Sequence, residues 1–193
     1  MVMIQGLALS DMQRAEMLLS ERFLRGEADA FEQFVALHQP RVARLVSRLL
    51  GWRGDVEDVV QDVFLTAMTK AHTFAGRSTL WTWLTAITLN RCRSHLRRRA
   101  LFDRFRLSVR ASPEPHSPAA DCAASDVELS RQVRQAVAAL PAREREVVVL
   151  YYLEQRPIAE VSALLGISEN AAHVRMHRGR QKLKSALAQY SKE

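Results

Sequence analysis

Apolar positions recur at helical spacing along most of the chain, and alternating apolar–polar runs bounded by turns do not occur. The pattern predicts an all-α protein. A first helix covers roughly residues 11–25 and ends at Gly26. Asp29 is placed to cap a second helix, whose stripe is Phe31, Phe34, Val35, Leu37, Val42, Leu45, Val46 and Leu49. Gly51 and Gly54 mark the turn that follows. Asp55 caps a third helix, DVEDVVQDVFLTAMTKAH. Its core face is Val56, Val59, Val60, Val63, Phe64, Ala67 and Met68, and its outer face is Glu57, Asp58, Gln61, Asp62, Leu65 and Thr66. After the loop TFAGRS, Ser78 caps a long helix, TLWTWLTAITLNRCRSHLRRR.

The pattern breaks at residues 111–125, ASPEPHSPAADCAAS. Pro113, Pro115 and Pro118 are incompatible with a helix interior, so this stretch reads as a flexible linker between two helical domains. Periodicity resumes from Asp126 to Leu140. Pro141 opens a helix, AREREVVVLYYLEQ, and Pro157 suits the first turn of the next, PIAEVSALL. Gly166 ends that helix and Ser168 caps the last. Helix, short glycine turn, helix is the helix-turn-helix pattern.

On a wheel, Ala172, Met176, Gly179 and Leu183 of the last helix face inward, toward Ile158, Val161, Leu164 and Ile167. Asn170, Val174, His177, Arg178 and Gln181 face outward, flanked by His173, Arg175, Arg180 and Lys182. By itself this suits either a solvated basic helix or one that reads DNA. The preceding helix and turn favour DNA. Arg can bond guanine edges, Asn or Gln adenine edges, and Val a thymine methyl, while flanking cations neutralise phosphates. His173 and His177 have the i,i+4 spacing of a zinc pair, but nothing completes a ligand set, so no metal and no other cofactor is expected.

Charge strengthens the nucleic-acid reading. Lys and Arg number 28 against 21 Asp and Glu, a net charge of +7, which points to a polyanionic partner, nucleic acid or an anionic membrane surface. The acidic outer face of the third helix stands out in such a chain. It reads either as acids stabilising a helix start or as a face for a basic protein partner. Along the long helix, Leu80, Trp83, Leu84 and Ile87 form the inward stripe, and Trp81 is open between core packing and base stacking. Asn90, Arg91, Arg93, Arg97, Arg98 and Arg99 follow. Two separated cysteines, Cys92 and Cys122, suit a reduced cytosolic setting. Neither a signal peptide nor a membrane span is predicted. The sequence shows no catalytic triad pattern, phosphate-cradling loop or HExxH, so no enzyme is expected.

Three stretches together resemble one family, the extracytoplasmic-function (ECF) sigma factors of the sigma-70 family of bacterial RNA polymerase subunits. DVEDVVQDVFLTAM is similar to the region 2.2 helix. FAGRSTLWTWLTAITLNRCRSHLRRR is similar to regions 2.3 and 2.4, and ALPAREREVVVLYYLEQRPIAEVSALLGISENAAHVRMHRGRQKL to region 4. The resemblance implies a σ2 domain at residues 1–104, a linker at 105–125 and a σ4 domain at 126–193. It implies docking on core RNA polymerase through Asp55, Glu57, Asp58, Gln61, Asp62 and Leu65. For the −10 element it implies a loop, Phe74, Ala75, Gly76, Arg77, Ser78 and Thr79, that captures a flipped base, with Trp81, Asn90, Arg91, Arg93, Arg97 and Arg98 beside it. For the −35 element it implies Asn170, His173, Val174, His177, Arg178 and Gln181, with Arg175, Arg180 and Lys182 on phosphates. An anti-sigma factor, often membrane-anchored, is the implied restraint. Ala171-Ala172, Val174 and the two histidines depart from common family choices, so a relative's promoter sequence does not transfer. The alternative is a stand-alone helix-turn-helix regulator, since LPAREREVVVL also resembles the effector domain of such proteins. That reading needs a sensory α/β domain, which residues 1–110 do not offer.

Overall fold

The computed structural model describes residues 14–15, 17–52, 55–105 and 124–188, and every described element is helical. Residues 17–24 form α1, which closes on Gly26. α2 is Ala28–Leu50, α3 is Val56–Lys70, and a single 3₁₀ turn, Ala71–Thr73, leads to α4, Leu80–Phe105. The second half holds α5 (Ala124–Ala139), α6 (Ala142–Val148), a π-turn at Val149–Leu153, α7 (Ile158–Leu165) and α8 (Glu169–Leu187). Gly54 and nearly all of the linker expected at 105–125 lie outside the described residues.

The predicted stripes assemble the core, with instructive exceptions. In α2, Phe34, Val42, Leu45, Val46 and Leu49 are buried, but Leu37 is exposed and His38 takes the inward place beside it. The His38 ring lies 4.5 Å from Phe34 and 6.2 Å from Trp81. Phe23 of α1 stacks on Phe34 at 4.2 Å, fastening α1 to the bundle. In α3, Val59, Val60, Val63, Phe64 and Ala67 are buried as expected. Met68 and Thr66 exchange their predicted roles. Met68 is exposed, while Thr66 is buried because its hydroxyl donates to the Asp62 carbonyl at 2.6 Å and needs no water. Burying a full Phe or Leu side chain is worth about 2 kcal/mol, so these stripes, rather than individual polar contacts, hold the bundle together.

Helix ends follow the sequence less closely. Asp29 sits in the first turn of α2, with Glu27 at the cap position, and Asp55 occupies the α3 cap position without a side-chain bond. For α4 the cap is Thr79, not Ser78: the Thr79 hydroxyl accepts the backbone N–H of Thr82 at 3.1 Å. Ser168 does cap α8, accepting from the Ala171 N–H at 3.2 Å. The single helix expected over 142–155 is two elements, because bonds of π type, such as Glu154 N–H to the Val149 carbonyl at 2.9 Å, interrupt it.

The two halves touch. α2 packs against α5, α6 and the π-turn, and buried residues of both halves belong to one apolar cluster. Arg145 of α6 reaches across this contact. Its guanidinium donates to the Leu49 carbonyl at 2.9 Å, where α2 ends, and to the Ala138 and Leu140 carbonyls at 2.8 and 3.2 Å, where α5 ends. A cation at two helix C-termini satisfies carbonyls that the helices leave unpaired. Gly51 makes the approach possible. It has φ +73, and a Cβ there would stand 3.1 Å from the Arg145 Nη1 and 3.3 Å from the Ala138 Cα.

Candidate polymerase and promoter surfaces

Three surfaces carry the predicted site residues. The first is the outer face of α3. Asp55, Glu57, Asp58, Gln61 and Leu65 are exposed, and Leu65 stands 53% accessible among the acids. Asp62 is half-buried and lies 3.6 Å from Arg98 of α4, while Asp55 is 3.9 Å from His95. Beside this face runs an open cleft of about 520 Å³ between α2 and α3, lined by Phe31, Val35, Val60, Phe64 and Leu65. An apolar cleft with Glu57 in its lining and further acids on the adjoining face of α3 suits an amphipathic helix carrying basic residues. Phe31 and Val35 of the α2 stripe are half-buried: they pack against the core and also form the cleft wall.

The second surface is the loop before α4 and the helix itself. Ala75, Gly76, Arg77, Ser78 and Thr79 are exposed. Phe74 is half-buried, edge-to-face with Trp83 at 5.8 Å. Of the two tryptophans, the one that the wheel leaves open is the more deeply buried. Trp81 is buried, with Arg41 stacked 3.9 Å over its ring, so it presents no face to a base. Trp83, assigned to the core by the stripe, is half-buried and borders the loop. Farther along α4, Asn90 and Arg97 are exposed and Arg91 is half-buried. Arg93 is not free. It makes a bidentate pair with Glu146 of α6, both contacts at 2.8 Å, and the carboxylate holds its guanidinium pKa above the ordinary value. Arg98 leans on Asp62 as above. Beneath these, burial pushes the Cys92 thiol up to about 12, so it stays protonated and acts as a small core residue.

The third surface is α8. Ala172 and Gly179 are buried, and Met176 and Leu183 pack on the core, as the wheel requires. Gly179 is needed for space: a Cβ there would lie 2.8 Å from Val148 Cγ2. With that side seated, Asn170, His173, Val174, His177, Arg178, Arg180 and Gln181 stand exposed and Arg175 half-exposed. His177 Nε2 and Gln181 Nε2 lie 2.9 Å apart, an internal hydrogen bond that orders two outward tips. The Lys182 ammonium, also exposed, pairs with Glu144 at 2.7 Å. Among the described residues no group of three or more His, Cys, Asp or Glu side chains is arranged to hold a metal, and no helix is long and apolar enough to cross a membrane.

Sequence reasoning missed the acids that face α4 from the second half, Glu146 and Glu160. No local pattern marks them, because their partners lie more than 50 positions away.

Residues 34–102 match the family profile described as Sigma-70 region 2, and residues 130–183 that described as Sigma-70, region 4. The chain is 35% identical over 173 residues to the RNA polymerase sigma factor CarQ of Myxococcus xanthus, covering 90% of this chain and 98% of that one. It is 27% identical over 184 residues to the ECF RNA polymerase sigma factor SigW of Bacillus subtilis, covering 89% and 98%. Among solved structures it resembles CnrH in complex with the cytosolic domain of CnrY, with a TM-score of 0.62 and 30% identity over 90% of this chain and 97% of that one.

Proposed function

Because the chain belongs to the ECF sigma factors of the sigma-70 family, we propose that its three surfaces divide the work of initiation: α3 docks on core RNA polymerase, the 74–79 loop and α4 take the −10 element, and α8 takes the −35 element. The observation that carries this reading is the exposed face of α8. Donor, acceptor, apolar and cationic tips project from one side, while the opposite side is sealed by Ala172 and Gly179. That division is what insertion in a major groove requires. A stand-alone regulator would have no use for the acid-edged cleft between α2 and α3.

The assignment to domains follows: residues 1–104 as σ2, 105–125 as linker and 126–193 as σ4. In the loop, the Phe74–Trp83 pair offers the aromatic surface on which an extruded base can stack, a contribution of about 1–3 kcal/mol per base. Arg97 and Arg77, both exposed, would neutralise the strand backbone. The solved relative CnrH is in complex with the cytosolic domain of CnrY. By analogy, an anti-sigma factor, membrane-anchored or soluble, would restrain this chain in the cytoplasm by covering the same cleft.

Adding the protein to core RNA polymerase should give transcription from a subset of a promoter library. Retained duplex binding with no association to core would favour the stand-alone regulator. Asp62→Arg should weaken core binding at least tenfold, about 1.4 kcal/mol, by inverting charge on the docking face; unchanged core affinity would remove α3 from that role. Arg178→Ala should cost about 1–3 kcal/mol on the preferred −35 sequence and little elsewhere. Equal loss on every sequence would make Arg178 a phosphate contact.

A further inference from the structure

Two residues on the outward side of α8 are coupled before any DNA arrives. The side-chain nitrogens of His177 and Gln181 lie 2.9 Å apart, both residues are exposed, and i,i+4 spacing sets them one above the other on the helix. An amide nitrogen only donates. Gln181 Nε2–H is therefore the donor and His177 Nε2 the acceptor, which puts the proton of the neutral ring on Nδ1. Turning the nitrogen to the ring leaves the amide oxygen for the solvent side. There the exposed Arg178 and Lys184, three residues to either side of Gln181, favour an acceptor over further N–H donors.

The tautomer decides what a histidine can read. With Nδ1 protonated, the ring offers a base one N–H donor; with Nε2 protonated, it would offer one acceptor at Nδ1. In the major groove guanine shows two acceptors, N7 and O6, adenine shows one acceptor and one donor, and cytosine shows a donor. The first tautomer suits guanine and the second suits cytosine. A ring free to exchange its proton between the two nitrogens would tell them apart poorly. Position along the helix separates the roles of the pair. Gln181 stands twelve residues after Glu169, about 18 Å along α8 at about 1.5 Å per residue, whereas recognition helices turn their N-terminal residues to base edges. His177 is one turn nearer that end.

We propose that His177 and Gln181 form one specificity unit: Gln181 reads no base itself but fixes the His177 tautomer, so that the ring presents Nδ1–H to a guanine of the −35 element. This deepens the reading of α8 as the −35 helix and rests on it. Gln181 is thereby a positioning residue, in the way that the outer hydrogen-bond partner of a metal-bound histidine fixes which ring nitrogen carries the proton. Exposed to water, the bond is weak. Insertion in the groove excludes water from both side chains and strengthens it.

The test uses the full-length protein assembled with core RNA polymerase, and a pool of promoter duplexes randomised across the −35 element. Sequencing the bound fraction gives the base preference at each position. The unsubstituted protein should favour guanine at one position whose preference His177→Ala removes while sparing the others. Gln181→Met keeps the reach of the side chain but cannot donate. The guanine preference at that same position should fall about fivefold, the worth of one hydrogen bond, with the other positions unchanged. Gln181→Lys supplies a donor again and should retain the preference, but only while His177 is present. Unchanged guanine preference in Gln181→Met would overturn the positioning role. So would a preference for cytosine at the position His177 controls, because the ring would then present an acceptor. If Gln181→Lys loses the preference, or keeps it in the His177→Ala background, the bond donated to the ring has no part in it and the unit is overturned. If the unsubstituted protein shows no preference at any −35 position, the reading of α8 fails and the unit with it. If preferences exist and His177→Ala changes none of them, that reading stands and the unit alone falls.

Discussion

α4 and α8 are both arginine-bearing helices, and the two could hardly be less alike in what their arginines do. On α4, Arg93 is paired to Glu146, Arg98 leans on Asp62, and Arg97 donates to Ser94 at 3.1 Å. On α8, Arg178 and Arg180 stand exposed beside His173 and Val174, and Lys182 is the cation drawn back to the protein. The difference comes from packing. α8 packs against α5, α6 and α7 through a side of small and apolar residues, Gly179 among them, and leaves its opposite side outward. α4 is flanked by α2 and α3 and touched by the second half as well. A basic helix thus becomes a reading surface only where the fold leaves it one side.

The contrast breaks most completely at Arg145, which satisfies carbonyls of both halves. Arg145→Ala should cost about 3 kcal/mol, since it strands buried carbonyls at two helix ends and removes a well-packed side chain. Urea denaturation measures this, and a loss below about 1 kcal/mol would mean that water replaces the guanidinium at little cost. Arg145→Lys should fall between, because an ammonium keeps the charge but lacks the fork that reaches Leu49 and Ala138 together.

A smaller effect is expected at the seat of α8. Gly179→Ala places a Cβ 2.8 Å from Val148 Cγ2, on a stiff, buried side chain that cannot swing aside. Overpacking of this kind costs about 1–3 kcal/mol, against a gain of about 1 kcal/mol from replacing Gly by Ala within a helix. Net destabilisation of about 1 kcal/mol should appear in thermal melts, together with weaker duplex binding as α8 tilts off its seat. A stabilised variant with unchanged DNA affinity would show that Val148 yields freely.

α8 was legible from sequence because its determinants are local. A proline start, a glycine turn, a serine cap and a period of small inward residues all lie within about two dozen positions, and the structure keeps each of them. α4 was legible in extent but not in use. The wheel could not tell Trp81 from Trp83, because the decision rests on Arg41 and His38 of α2, which cover Trp81. Nor could it expose the fate of Arg93, whose partner Glu146 lies 53 residues on. The exchange of Met68 and Thr66 has a smaller cause. A threonine that bonds its own helix backbone is apolar enough to bury, whereas apolar periodicity assigns the place to methionine. Local pattern fixes elements and faces; availability is settled by whichever distant element arrives.

The caps offer the finest test of that distinction. Thr79→Ala and Ser168→Ala each remove one side-chain acceptor from a helix N-terminus, and each should cost about 1 kcal/mol. Their surroundings differ. The Thr79 hydroxyl also lies 2.9 Å from the Thr82 hydroxyl, which continues to Glu160 and Arg156 in the second half. Ser168 bonds the Ala171 N–H of its own helix. Combined with Glu160→Ala, the Thr79 change should therefore be non-additive by about 0.5 kcal/mol or more, while the Ser168 change should add within error. Additive behaviour at both sites would mean that the cap of α4 is as local as that of α8, and that the two halves are joined through Arg93 and Arg145 without it.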